Sequence, residues 1–413
     1  MSTHPAPVAG PVDRVFLETG TTCGYVLDFD GVAPHPERFA EHVLRRAASF
    51  TSLRLLPPPP GRHRWRMQSE PLSGGAHVRT RDCSTQPGGT TEATDALLNQ
   101  ALAGDPHPPW DVWLLHVPGR KAFRIVYRVH HALQDGASAA HVMLGLLSDQ
   151  VTAGPRPHRA AAPTVRGALL AGQSFLTALR FDGTWPVLRA TPAHRTHWIH
   201  ADVSEARLRE VAARHDATVN DVCLAGLACA LGHWYRTVSG ALPNPRELVV
   251  LVPMSVRKDS DRYAVGSRVT AHHVGLRLGL SDLGRAVRSV HEQTRALRPH
   301  RVRDASRLAL GLLPPALGHR MAGVTLGRTA APVLTSSITL PSRFTCLGGR
   351  LSAASLVCDL FGGRLCYISF TRAAGVLRCG IVADEALPEA RALPGLWRDA
   401  VTAGEQSIES VTA

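Results

Sequence analysis

The sequence predicts an α/β fold built as two layered subdomains with mixed sheets. Strand-like and helix-like segments alternate in both halves of the 413-residue chain. Hairpins, and not only crossovers, join the strands, which excludes a purely parallel sheet. A proline- and arginine-rich stretch, RATPAHRTHW, interrupts the pattern at 189–198. The chain is too long for one small core. The division therefore falls at that stretch, with a first subdomain at 1–188, a linker at 189–198 and a second subdomain at 199–413.

In the first half, GYVLDFDG (24–31) reads as a strand and turn. HPERFAEHVLRRAASF (35–50) reads as an amphipathic helix with Phe39, Val43 and Leu44 on one face. The four prolines 57–60 form a rigid spacer into HRWRMQ. After a polar, glycine-rich stretch (84–94), ATDALLNQALAG (93–104) is helical and WDVWLLHV (110–117) is a strand. A turn at Pro118-Gly119-Arg120 returns the chain as AFRIVYRVHH (122–131). ASAAHVMLGLLSD (137–149) is a helix, and PTVRGALLAGQSFLTALRF (163–181) a helix or crossover.

The second half opens with two helical runs within 203–235, where Ser204 is a good N-cap and TVNDVCLAGLACALGHWY is apolar enough to be buried. ELVVLVPMSVR (247–257) is a buried strand leading to a loop, and SRVTAHHVGLRL (267–278) another strand. DLGRAVRSVHEQTRAL (282–297) is an amphipathic helix. GRLCYISFTRAAGVLRCGIVADE (363–385) is a hairpin turning near Ala373-Ala374-Gly375.

Composition narrows the class. The hydrophobic fraction of 44% is that of a folded protein, and with 5% aromatics the core leans on Leu, Val and Ala. The net charge of +13 is almost all arginine, with Lys121 and Lys258 as the lysines. The arginines are scattered, apart from clusters at Arg62, Arg64 and Arg66 and at Arg298, Arg301 and Arg303. Neither cluster sits in a nucleic-acid-binding pattern, so no nucleic-acid partner is expected. The eight cysteines form no CxxC pair and lie in apolar runs, as buried thiols of a reducing compartment. The N-terminal MSTHPAPVAGPVD lacks a secretory pattern. The longest apolar run, from Leu308 to Gly327, is broken by two prolines, a histidine and an arginine. The expectation is a cytoplasmic protein with at most peripheral contact with the inner membrane face.

YRVHHALQDGASAAHVM (127–143) concentrates the chemistry. Phe123, Ile125, Tyr127 and Val129 alternate with Arg124, Val126, Arg128 and His130. An extended backbone to the end of the run puts His131 on the apolar face and His130 with the arginines. Asp135 is placed to N-cap the next helix. Gly136 removes a side chain where a ligand would approach. Three roles are open for His131: a buried, hydrogen-bonded structural histidine, a metal ligand with Asp135, or a general base whose ordinary pKa is close to operating pH. No third metal ligand stands beside His131 and Asp135, and no metal is expected.

HHALQDG resembles the HHxxxDG motif of the CoA-dependent acyltransferase superfamily, which includes peptide-synthetase condensation domains and chloramphenicol-acetyltransferase-like enzymes. Within it the chain is most similar to the bacterial wax ester synthase/diacylglycerol acyltransferase group. PVDRVFLETG, AHVRT, PPWDVWLL, VHHALQDGASA, ATVNDVCLAGLACAL, VLVPMSVR and GLRLGLSDLGRAVRSVHEQT carry that similarity, in order along the chain.

The resemblance implies two chloramphenicol-acetyltransferase-like subdomains with a channel between them. It implies His131 as the base that deprotonates an acceptor hydroxyl or amine while it attacks an acyl thioester, with no acyl-enzyme. Asp135 would be a buried brace, with Arg257 as its partner and His130 and Gly136 as further support. Asn220, Asp221, Ser255 and Ser267 are candidates for substrate contact. No bound cofactor is implied; acyl-CoA or an acyl carrier protein is the co-substrate, and the basic charge would steer a CoA phosphate. Two departures stand out. Gly266-Ser267 replaces the usual Gly-Asn, and in SSITLPS Ser337, Thr339 and Leu340 replace Asn, Pro and Gly. A specialised hydroxyl or amine acceptor therefore rivals a long-chain alcohol or diacylglycerol. An idle acyl-binding relative is the remaining alternative.

Overall fold

The computed structural model describes residues 6–59, 61–180, 185–242 and 246–403. Pro60, Phe181, the start of the N-terminal segment and the last ten residues of the second half lie outside the described residues.

In the first half, helix α1 (Pro11–Thr19) leads into β1 (Thr22–Asp30) and α2 (Pro36–Ala47). Short strands β2 (Leu55–Leu56) and β3 (Arg66–Met67) pair with each other. Then come α3 (Gly74–His77), β4 (Val78–Asp82), α4 (Gly89–Leu98), β5 (Trp110–His116), β6 (Ala122–His130) and α5 (Gly136–Leu147). Helix α6 (Val165–Arg180) leads toward the second half.

There, β7 (Thr196–Ser204) and α7 (Glu205–Arg214) precede the long α8 (Val219–Ser239) and the strands β8 (Glu247–Ser255) and β9 (Val269–Arg277). Helices α9 (Leu283–Thr294), α10 (Val302–Leu312) and α11 (Pro315–Thr325) follow. Strands β10 (Val333–Thr339), β11 (Thr345–Cys346), β12 (Gly349–Cys358), β13 (Cys366–Ala373) and β14 (Val376–Asp384), then α12 (Leu393–Thr402), complete the order.

Two six-stranded sheets result, ordered β11-β12-β1-β6-β5-β4 and β7-β14-β13-β10-β8-β9. Both are mixed: β4 and β5 run parallel in the first, and β8, β10 and β13 in the second. This is the α/β, mixed-sheet architecture that the alternating pattern predicts. Pairing of Ala373 with Val376 leaves Ala374 and Gly375 as a two-residue turn, with φ of 52° and 79°. Positive φ at both positions matches the right-handed strand twist.

The sequence reading differs from the structure in several places. Helix α4 begins inside the stretch read as polar loop and stops at Leu98, short of residue 104. Helix α1 was not foreseen, and the broken apolar run from Leu308 lies across two helices, α10 and α11. Ser204 does occupy an N-cap position, but its hydroxyl makes no capping bond. Residues 196–198 of the linker already belong to β7. Strand β12, from residues 349–358, inserts into the first sheet against β1, so the sheets do not divide where the chain does.

That insertion fastens the halves together. Leu356 N–H of β12 donates to Thr371 Oγ1 of β13 at 2.9 Å. Arg378 of β14 reaches Asp28 of β1 at 2.5 Å and Asp202 of β7 at 2.6 Å. Asp28 also accepts from Arg124 at 2.7 Å, so a nearly buried network spans both sheets. Trp198, Leu251, Leu334 and Val382 of the second half pack into the first-half core. In the second sheet, β8 and β10 pair only at Val250–Val333 and Leu251–Leu334. Beyond that point the two strands part, and the opening between them becomes a cavity wall.

Candidate active site

Strand β6 stops at His130, one residue earlier than the alternation argument needs. His131 lies in a turn closed by Leu133 N–H donating to His130 O at 2.9 Å. Its orientation is therefore set by the turn and not by strand periodicity. Its own N–H donates to Thr21 O at 2.8 Å. Its ring stacks on Phe16, centroids 3.8 Å apart and planes at 26°. Phe16 and Asp13 are the buried residues of α1, three apart on one helical face.

His131 is half-buried, and what exposure it has is toward the cavity it lines. Nδ1 is buried without a hydrogen-bond partner of good geometry, which leaves Nε2 as the nitrogen open to the cavity. Burial lowers the imidazole pKa below its ordinary 6.5, against smaller raising effects from its own backbone and the Asp135 charge. The ring is thus neutral near pH 7. His130, pushed down to about 4 by burial and then by His131, accepts from Ala132 N–H through Nδ1 at 3.2 Å. It supports the turn.

Asp135 caps α5, accepting Ser138 N–H at 2.8 Å. Its other oxygen accepts Arg257 Nη2 at 2.7 Å and Arg268 N–H at 2.8 Å. Burial alone would raise this carboxyl; Arg257 outweighs it and holds the pKa below the usual range. Arg257, just past β8, also donates to Asp261 O, Ala264 O and Gly266 O at 2.6, 2.8 and 2.7 Å. Arg257 is 2% exposed, and both terminal nitrogens of its guanidinium are engaged, while Nε is buried without a partner. With its oxygens so committed, Asp135 is a brace beneath the histidine turn.

Gly266 closes the same brace from the second half. Its N–H donates to Leu133 O at 2.9 Å, and its φ of 90° lies in the left-handed region. A Cβ there would meet Asp13 Oδ2 at 2.6 Å. Asp13 accepts Ser267 N–H at 2.7 Å and Gly10 N–H at 3.0 Å, and burial pushes its carboxyl up to about 6. Ser267 thus meets Asp13 through its backbone N–H, beside the histidine turn.

The cavity of about 1350 Å³ runs between the halves, past His131, Gly136 and the parted ends of β8 and β10. Asn220 and Ser255 both line it. Asp221 lines it too, but its oxygens cap α8 through Thr218 N–H at 2.9 Å and accept from Thr294 Oγ1 at 2.7 Å and His291 Nδ1 at 3.1 Å. Ser337, Thr339 and Leu340, the departures in SSITLPS, also line the cavity. So do Cys23 and Cys358, whose thiols burial holds well above their ordinary pKa. No disulfide forms among the eight cysteines.

Sequence reasoning missed the roles of Phe16, Asp13 and β12. The signal for the first two was present, an aspartate and a phenylalanine three apart in PVDRVFLETG.

Residues 11–182 match the family model of the wax ester synthase/diacylglycerol acyltransferase catalytic domain. The chain is similar to a Mycobacterium tuberculosis (strain ATCC 25618 / H37Rv) protein named "Probable diacyglycerol O-acyltransferase tgs1", 25% identical over 327 residues, 70% of this chain and 68% of that protein. A solved wax ester synthase/diacylglycerol acyltransferase from Marinobacter aquaeolei VT8 superposes with a TM-score of 0.69 at 19% identity, covering 98% of this chain and 100% of that one. The starter condensation domain of rhizomide synthetase RzmA, in complex with C8-CoA, gives 0.61 at 15% identity over 97% and 94%. Over nearly its whole length the chain shares its fold with these wax ester synthase/diacylglycerol acyltransferase and condensation-domain structures.

Proposed function

We propose that the protein moves an acyl group from an acyl thioester to a hydroxyl acceptor, forming an ester, with His131 as general base. The observation that carries this is the His131 ring: neutral, stacked on Phe16, with Nε2 open to a cavity large enough for two substrates. Nε2 takes the hydroxyl proton as the oxygen attacks the thioester carbonyl. The tetrahedral intermediate collapses with release of the thiolate, which takes that proton and leaves as free thiol. Asn220, whose side chain makes no hydrogen bond among the described residues and which faces the cavity, is the candidate for contact with the acyl group.

Direct transfer fits the thiols. Cys23 Sγ donates to Gln134 O at 3.3 Å, and a thiol kept protonated by burial is a poor nucleophile. For the donor, Arg156, Arg159, Arg298 and Arg303 line the cavity, a lining suited to the phosphates of acyl-CoA. A carrier-protein thioester would use less of this charge. The reaction as written draws on no cofactor beyond the donor.

Acylation of an amine, or of a specialised hydroxyl, is the second reading, favoured by the polar Ser337 and Thr339 in the wall. Incubating the protein with an acyl-CoA and matched alcohol and amine acceptors, then identifying products by mass, separates the two. Ester with release of free thiol is expected, amide alone would favour the second reading, and binding without product would overturn both in favour of an idle relative.

No helix among the described residues is long and apolar enough to cross a membrane. Peripheral contact would use Leu169 of α6 with Leu312 and Leu317 of α10 and α11, apolar side chains that are exposed.

A further inference from the structure

The chain holds a second His-His pair, His272-His273 on β9, which the account of His131 leaves unused. The two imidazoles differ. His273 packs toward α6, where its Nδ1 lies 3.2 Å from Ser174 Oγ and its N–H donates to the same oxygen at 3.1 Å. His272 faces the cavity, opposite Val252 of β8 in the strand register. It is 9% exposed, and neither ring nitrogen has a hydrogen-bond partner among the described residues. Burial, and then His273, push its pKa down to about 4, so at pH 7 the ring offers one donor and one acceptor without charge.

An unpartnered imidazole is costly in such a place unless a ligand completes it. Its neighbours along β8 and β9 in the lining, Val252, Met254 and Val274, are apolar and cannot do so. Thr335 of β10 is spent on Leu251 O at 3.1 Å. The cavity thus presents two neutral histidines from different sheets: His131 at the end of β6, and His272 in the wall of the second half.

We propose that His272 is a specificity-determining residue that hydrogen-bonds an oxygen carried by one substrate away from its reacting carbon, so that the second-half arm of the cavity selects an oxygenated chain over a plain alkyl one. The oxygen, a hydroxyl or a carbonyl, belongs either to the acyl chain of the donor or to the acceptor. The inference rests on the acyl-transfer reading for which molecules enter, but its test does not depend on turnover.

Equilibrium binding by calorimetry, with the full-length protein and no co-substrate, compares two ligand pairs: decanoyl-CoA against 3-hydroxydecanoyl-CoA, and 1-decanol against 1,10-decanediol. In wild type the oxygenated member of one pair binds more tightly, and the pair that shows it identifies the source. His272→Leu weakens that member about three- to tenfold, the range of one neutral hydrogen bond. It leaves the plain member unchanged or tighter, and His272→Gln restores part of the preference. Equal loss for both members, or preferences that survive His272→Leu, would overturn the inference while leaving the His131 account standing. Product formation absent in wild type alongside a His272-dependent preference would instead count against the proposed reaction alone.

Discussion

Arg257 Nη2 stands 2.7 Å from Asp135 Oδ2, 122 positions apart in sequence, with both side chains at 2% exposure or less. This pair joins the helix start below His131 to the loop after β8. It makes the shape of the histidine turn depend on the second half.

Removing one partner leaves the other charged and buried. Arg257→Met is expected to cost about 3–5 kcal/mol of folding stability by urea titration. Asp135→Asn keeps the α5 cap and should cost less. In the double variant the two losses should be well short of additive.

Phe16 holds the His131 ring by stacking rather than by a hydrogen bond. Phe16→Leu keeps bulk and should cost less than about 1.5 kcal/mol of stability. Transfer should nevertheless fall by roughly tenfold or more in kcat, since a small misplacement of a reacting group is costly. A kcat unchanged within twofold would remove Phe16 from the positioning of the base.

Gly266→Ala puts a Cβ against the Asp13 carboxylate at a φ of 90°. Destabilisation of about 1–3 kcal/mol is expected from strained backbone alone. Ser267→Ala, whose N–H contact to Asp13 is unaffected, should stay within about 0.5 kcal/mol. Thermal unfolding distinguishes the two.

Acid should destabilise the protein well above the carboxylate range. Burial holds His130, His141, His200, His272 and His273 down to about 4 in the folded state. Between pH 6.5 and 4 the unfolded chain therefore binds protons that the folded chain refuses, and stability falls as pH falls. Asp13 and Asp359, pushed from 3.8 up to about 6 by burial, act in the opposite sense over most of this window, below about pH 6. The histidines outnumber them, so the net slope is a loss. A denaturation midpoint flat from pH 7 to pH 5 would contradict this.

What could be read in the sequence was local. HHALQDG marked the histidine, the helix cap and the brace, and PMSVR placed Arg257 at the end of a buried strand. Strand β6 followed from short-range alternation, and β1, β5, β8 and β9 from short apolar runs. The parts not legible depend on contacts distant in sequence. Strand β12 reads as small and apolar residues with no clear period because both its faces are buried. The parting of β8 from β10 beyond Leu251 is a property of two strands about 80 positions apart, and no local pattern encodes it. Nor does a motif position foretell the pairing of Ser267 N–H with Asp13, which lies 254 residues away in sequence.

His131 is the group proposed to move the proton. The direct measurement is free-thiol release from an acyl-CoA with a competent alcohol, wild type against His131→Ala, the variant's fold checked by circular dichroism and thermal unfolding. A loss of roughly 10²–10⁴ in kcat with the fold intact is the expected result. Undiminished release by a folded His131→Ala would contradict the account.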